Sequence, residues 1–215
     1  MTTTPPRKRL TAEERRAAIQ SAALEVFADR GYHASSIDDI ARAAGVSKAL
    51  IYEHFASKQQ LHADLIEAQA GELYRRVADA VAAVRTPSGS ERLKAGLEAF
   101  FGFVEERRDA WRVLFRETVD PETAATLSRV NAQVTSLVAT LIAEDPGAKP
   151  RDEAHPEADR GIQLLAQMLV GAIESVANWW AVHKEVRRDR VLETAMEFAW
   201  LGLDRVGQGE RWPLE

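Results

Sequence analysis

The sequence predicts an all-α protein, and three observations carry that prediction. Apolar residues recur at three- and four-residue intervals, as in Ile19, Ala22, Ala23, Val26 and Phe27, the spacing that lines one face of a helix. Strand-like alternation is absent, with Val and Ile scattered among Ala, Leu, Arg and Glu. Helix-start signals punctuate the chain, because the free amides of a first turn need side-chain acceptors. About nine helices are expected.

Thr11-Ala-Glu-Glu14 opens the first helix with a reciprocal capping box, and Gly31 is expected to close it as a left-handed cap. Ser36-Ile-Asp-Asp39 opens the second in a carboxylate variant, and Ser57-Lys-Gln-Gln60 a long fourth helix that runs to about Val84. Thr86-Pro-Ser-Gly-Ser90 breaks the chain, after which Leu93, Leu97, Phe100, Phe101 and Val104 form the stripe of a fifth helix. Trp111, Leu114 and Phe115 sit on a short sixth. Asp120-Pro121 supplies a cap and a proline at the first helical position of a seventh, which is expected to reach about Glu144. The Pro-, Gly- and charge-rich stretch from Ala143 to Arg160 reads as a solvated loop. The last two long helices are expected from near Pro156 to around Val186 and from about Asp189 to Val206.

Composition narrows the function. The chain has 215 residues, 46% hydrophobic and 28% charged, enough to bury a core and unlike a disordered chain. With no cysteine, a disulfide framework, a thiolate zinc site and a cysteine nucleophile are excluded. The longest apolar stretch, Gly161 to Val182, contains Gln163, Gln167, Glu174, Ser175 and Asn178, so it reads as a buried soluble helix and not a membrane span. No membrane association is expected, and a cytoplasmic location fits. Residues 1–58 carry nine Lys/Arg against seven Asp/Glu, whereas residues 59–215 carry 19 against 26. A basic front on an acidic body suits a chain that meets a polyanion at one end. Arg7, Lys8 and Arg9 lie in a basic arm ahead of the first helix.

Ser36 to Tyr52 has the form of a helix-turn-helix unit. Ala41 is small where the second helix crosses the first, Gly45 can take positive φ in the turn, and Ser47 can cap the next helix. Ile37, Ile40, Ala44, Val46, Leu50 or Ile51, and Phe55 supply the apolar faces that lock the pair against the first helix. Ser47, Lys48 and Ala49 are left to face outward at the N-terminus of the third helix, where residues approach base edges in a major groove, with Tyr52 and His54 further along.

Leu24 to Lys58 resembles the DNA-binding domain of the TetR, or tetracycline-repressor, family. The ending Phe27-x-x-x-Gly31-Tyr32, the Ile-Ala-x-x-Ala-Gly-Val-Ser turn and the Tyr-x-His-Phe-x-x-Lys ending occur together in register. The resemblance covers roughly the first quarter of the chain. It implies a DNA-binding domain over residues 1–57, with its N-terminal arm, and a helical ligand-binding and dimerising domain over residues 58–215. It implies phosphate contacts at Ser36 and Lys58, and recognition-helix contacts at Ser47, Lys48, Ala49, Tyr52 and His54. Where members of the family often carry Gly-Thr after Ser-Lys, this chain has Ala49-Leu50, which counts against direct polar base readout there and admits an apolar contact with a thymine methyl.

In the body, large apolar side chains gather on the middle helices beside a few polar ones. Phe101, Trp111, Phe115, Met168, Glu174, Asn178 and Trp179 are the candidate lining of a small-molecule pocket, an apolar cavity with a few polar anchors. The same aromatics can instead simply fill the core. Glu174 and Glu117, if buried, favour a cationic ligand, because an unpaired carboxylate out of water is costly. The last two long helices, through Ile162, Leu165, Leu169, Ile173 and Val176, then Leu192, Ala195, Met196, Phe198 and Ala199, are expected to form the four-helix seam of a homodimer.

The expected function is a sequence-specific transcriptional regulator that binds double-stranded, palindromic operator DNA and, as a repressor, is released by a partly apolar small-molecule effector. No cofactor, no metal and no catalytic residue is called for, since His54, His62 and His183 are dispersed and no phosphate-cradling glycine loop appears. The rival reading is an all-α ligand carrier or adaptor with a degenerate DNA-binding domain.

Overall fold

Reciprocal capping sets the first two helices. The Thr11 hydroxyl accepts from the Glu14 N–H at 3.1 Å while the Glu14 carboxylate accepts from the Thr11 N–H at 2.7 Å. Ser36 and Asp39 repeat the exchange at 3.1 Å in both directions. At the start of the fourth helix only half the box forms. Ser57 Oγ accepts from the Gln60 N–H, but Gln60 Oε1 reaches past it to the Ala56 N–H at 2.8 Å.

The computed structural model describes residues 11–86, 88–115, 121–143 and 156–207. Among them are nine helices: α1 (Ala12–Arg30), α2 (Ile37–Ala44), α3 (Lys48–His54), α4 (Lys58–Ala83), α5 (Gly89–Glu106), α6 (Arg108–Phe115), α7 (Pro121–Ala143), α8 (Pro156–Val182) and α9 (Arg188–Gly207). The expected all-α class holds. The basic arm, Glu117, Asp120 and most of the stretch read as the loop before α8 lie outside the described residues.

The turn between α2 and α3 depends on Gly45. Its φ of 66° and ψ of 32° are left-handed, which costs a side chain but not glycine. The Val46 N–H then bonds the Ala41 carbonyl at 3.0 Å and the Gly45 N–H the Arg42 carbonyl at 3.3 Å, the paired bonds of a Schellman ending. Gly31 differs from expectation. Its φ of 79° is positive but its ψ of 164° is extended, a region open to glycine alone, so α1 ends abruptly and not in a left-handed turn.

Ile19, Phe27, Ile37, Ile40, Ile51 and Phe55 bury the faces that hold α1, α2 and α3 together; Ile51, not Leu50, is the buried member of its pair. From there one core continues along α4 through Leu65, Leu73 and Val77 to Phe101, Trp111 and Trp180. At 26 residues, α4 is roughly 39 Å long at 1.5 Å per residue. It packs along α5 and α7, and α7 in turn packs on α8. The short α6 lies against α1, with Ala110, Trp111, Val113 and Leu114 buried.

Helix α8 stops four residues before its expected end. The Trp180 indole N–H donates to the Val186 carbonyl at 2.8 Å, and the Val186 N–H to that of His183 at 3.1 Å, folding the chain into a turn that launches α9. An ion pair from Arg188 to Glu105, 3.2 Å, ties the start of α9 to α5. No described helix is long and apolar enough to cross a membrane.

The expected dimer stripe is corrected in part. Ile162, Leu169 and Ile173 are buried against the body of their own chain, as are Ala195 and Ala199 on α9. The large apolar residues left outside are Leu164, Met168, Trp179 and Val182 on α8, rotated around that helix from the stripe that periodicity singled out, and Phe198 on α9, a member of the expected stripe.

Candidate nucleic-acid interface and ligand cavity

Ser47 caps α3, its hydroxyl accepting from the Leu50 N–H at 3.2 Å. Lys48, Ala49 and Tyr52 then project outward, Tyr52 with 48% of its surface exposed. Lys48 is not a bare cation. Its ammonium lies 2.9 Å from the Asp38 carboxylate on α2, whose hydrogen bond and charge hold the lysine above its ordinary pKa. His54 is half-buried at the end of α3. Ser36 is exposed at the start of α2, its Oγ donating to Asp39 Oδ2 at 2.6 Å.

Lys58, the expected phosphate contact at the start of α4, also has partners within the chain. Two of its three donors reach the Tyr32 and Ser35 carbonyls at 2.8 and 2.9 Å, and Nζ lies 4.1 Å from the centre of the Tyr32 ring. Burial depresses its ammonium pKa. The side chain thereby pins the α1–α2 connection to the first turn of α4.

Sequence reasoning missed Arg16. Its guanidinium donates to the His54 carbonyl at 2.8 Å and to the Asp64 carboxylate at 2.5 Å, and stacks 4.2 Å from the centre of Phe55. One side chain of α1 thereby joins the end of α3 to α4. An arginine in a first helix carries no local signal for partners 38 and 48 residues away.

Behind α4 the body forms a partly open cavity of about 610 Å³, within the range of small-molecule sites. Leu73, Val77 and Val81 of α4, Leu93 and Phe100 of α5, Trp111 and Phe115 of α6, Leu127 and Leu137 of α7, and Ile173 of α8 line it. Polar groups are sparse: Arg92, Ser128, Asn131, Gln167 and Glu174. Glu174 is half-buried, and its Oε2 accepts from Asn131 Nδ2 at 3.3 Å. Desolvation raises its carboxyl pKa.

Of the seven candidate pocket residues, Trp111, Phe115 and Glu174 line this cavity. Phe101 is fully buried behind it, edge-on to Phe100 and Trp180. Asn178 acts on the lining indirectly, its Oδ1 accepting from the Trp111 indole at 3.0 Å. Met168 and Trp179 lie outside this lining, 62% and 49% exposed. Trp179 stacks on His183, 4.1 Å between ring centres. The contribution of α7 went unread, because Leu127, Val134, Leu137 and Leu141 repeat like any core stripe.

Comparison with known proteins decides the family. A family model described as bacterial regulatory proteins, tetR family, matches residues 19–65, and one described as tetracyclin repressor-like, C-terminal domain, matches residues 89–202. The chain belongs to the TetR family. It is accordingly a DNA-binding transcriptional regulator. Among TetR-family relatives, the HTH-type transcriptional activator FasR of Mycolicibacterium smegmatis is 34% identical, over 92% of this chain and 87% of that protein. A TetR-like transcriptional regulator from Rhodococcus sp. RHA1 superposes with a TM-score of 0.76 at 29% identity, covering 91% of this chain and 98% of that one. The fold is also that of the transcriptional regulator FadR from Bacillus subtilis, solved in complex with stearoyl-CoA, with a TM-score of 0.70 at 20% identity over 85% of this chain and 96% of that one.

Proposed function

We propose that this TetR-family regulator works as a homodimeric repressor that holds a palindromic operator while its cavity is empty and lets go when an elongated, largely apolar effector fills it. The observation that carries the reading is the double duty of α6. Trp111, Leu114 and Phe115 line the cavity, and the same helix packs on α1 of the DNA-binding domain, so a ligand that displaces α6 acts directly on the element that seats α2 and α3. Helix α4, which lines the cavity and reaches the recognition unit through Asp64, gives a second path. The division of labour falls at the start of α4, with residues 1–57 meeting DNA and residues 58–215 holding ligand and partner.

The DNA contacts follow from exposure. Ser47, Lys48, Ala49 and Tyr52 face the major groove, with His54 at its margin, and Ser36 meets phosphate at the N-terminus of α2. Two such units about 34–36 Å apart span successive grooves, which requires a two-fold partner. The exposed apolar residues on α8 and α9 supply its seam. A saturated chain of the kind seen with the Bacillus protein suits the lining of this cavity. Such a regulator acts in the compartment that holds the DNA, the cytoplasm.

Selection of bound sequences from a random pool by the full-length protein tests the reading. A palindromic winner, bound with steep salt dependence and released by a long-chain, largely apolar ligand such as dodecanol, is the expected result. A winner that stays bound under saturating ligand would refute release, and no enrichment from folded protein would favour the carrier reading.

A further inference from the structure

The cavity has a chemically distinct corner. Glu174 enters it from α8 and is half-buried, and among the described residues no Lys, Arg or His lies within ion-pair distance of its carboxylate. Its recorded hydrogen bond comes from Asn131 at 3.3 Å, which leaves most of its lone pairs without a donor. A carboxylate withdrawn from water without a counter-charge is costly. One helical turn along α8, Asn178 holds the Trp111 indole by its N–H, and the Trp111 ring stacks on Phe115 at 4.0 Å with Phe100 edge-on at 5.3 Å. Trp111, Phe115 and Phe100 all line the cavity with Glu174. Electron-rich ring faces beside a carboxylate favour a cation or the positive end of an N–H or O–H bond, and disfavour an anion.

We propose that Glu174, supported by Asn131 and the Trp111–Phe115 pair, reads the end group of the effector, accepting a donor such as an ammonium, amide or hydroxyl and rejecting a free carboxylate. This rests on the cavity being the effector site. It adds to that reading the polarity of the molecule: an apolar body whose buried end group donates hydrogen bonds and carries no negative charge. The shared chemistry is donation to the carboxylate. A charged and a neutral donor are told apart by what happens when the carboxylate is made neutral.

Dodecylamine, dodecanol and dodecanoate, each below its critical micelle concentration, titrated calorimetrically into the full-length protein and into Glu174→Gln, test the proposal. The wild type should prefer the amine to the carboxylate by about tenfold or more, the scale of one charge-assisted hydrogen bond. Glu174→Gln should bring that ratio to within about threefold by weakening the amine, while leaving dodecanol little changed. Loss of preference with retained dodecanol binding also shows that the variant is folded. Two results would overturn the assignment with the cavity reading intact: an amine-to-carboxylate ratio unmoved by the substitution, or a wild-type preference for dodecanoate, which would give the end group to Arg92 on the first turn of α5. Failure of all three probes to bind would overturn the cavity reading and the proposal with it.

Discussion

Lys58, expected at a phosphate, also serves the fold. Its ammonium sits between two backbone carbonyls and the Tyr32 ring, so Lys58→Ala removes charge-assisted hydrogen bonds worth about 1.5–3 kcal/mol in favourable cases. The expected outcome is a lower denaturation midpoint with the salt dependence of DNA binding kept, read by urea titration and by anisotropy at several ionic strengths. A flattened salt slope at full stability would restore the phosphate contact. Glu174 makes the complementary prediction with pH. Burial raises its carboxyl above the ordinary 4.5, so just above that value the native chain holds a proton that the unfolded chain has released. Stability contributed at this site therefore falls as pH rises from about 4.5 through the raised value, then levels. Denaturation midpoints of wild type minus Glu174→Gln should trace that fall, and a flat difference would show the carboxylate to be effectively solvated.

At the scale of elements, helix existence was legible because its causes are local. Thr11, Ser36, Ser47 and Ser57 all cap the helices they were expected to cap, and Gly45 supplies the turn. What was not legible was rotation about the helix axis. Periodicity places Ile173 and Trp179 on faces of α8 but cannot say which face meets the body, and so Met168 and Trp179 were read into a pocket they do not reach. The end of α8 was misplaced for a related reason, since the bond from Trp180 to Val186 belongs to tertiary structure. Coupling between elements is equally invisible to local pattern. Arg16 joins α1, α3 and α4, so Arg16→Ala should leave effector affinity near wild type while shrinking the drop in operator affinity that the effector causes. Ligand and DNA titrations, each with and without the other, measure that reciprocal coupling. Coupling equal to wild type would leave α6 against α1 as the sole route.

For the whole molecule, the proposed dimer seam rests on the exposed apolar residues of α8 and α9. Phe198, at 66% exposure, and Met168, at 62%, are large side chains that a lone soluble chain has little reason to present together. A Met168→Glu, Phe198→Glu double variant should sediment as a folded monomer and lose cooperative binding to a palindrome. A dimer that survives both charges would move the seam elsewhere. The cavity wall was only half legible at this scale. Trp111, Phe115 and Glu174 were found by composition, whereas the wall supplied by α7 depends on how five helices from distant parts of the chain surround a space.

The pairing of Lys48 with Asp38 bears on search through a genome. A regulator meets a vast excess of wrong sites, and what serves it is the gap between right and wrong affinities more than tight binding as such. On the proposed contact of Lys48 with DNA, Asp38 2.9 Å from its ammonium means that the helix approaches any duplex with that cation already paired, and with a carboxylate beside it that phosphates repel. Random sequence recovers little from that lysine, whereas a cognate site offers other contacts that offset the exchange. Asp38→Asn should accordingly raise affinity for arbitrary DNA more than for the operator and steepen its salt dependence by up to about one counterion. On that reading, the acid beside Lys48 acts as a brake on loitering, set where each wrong encounter begins.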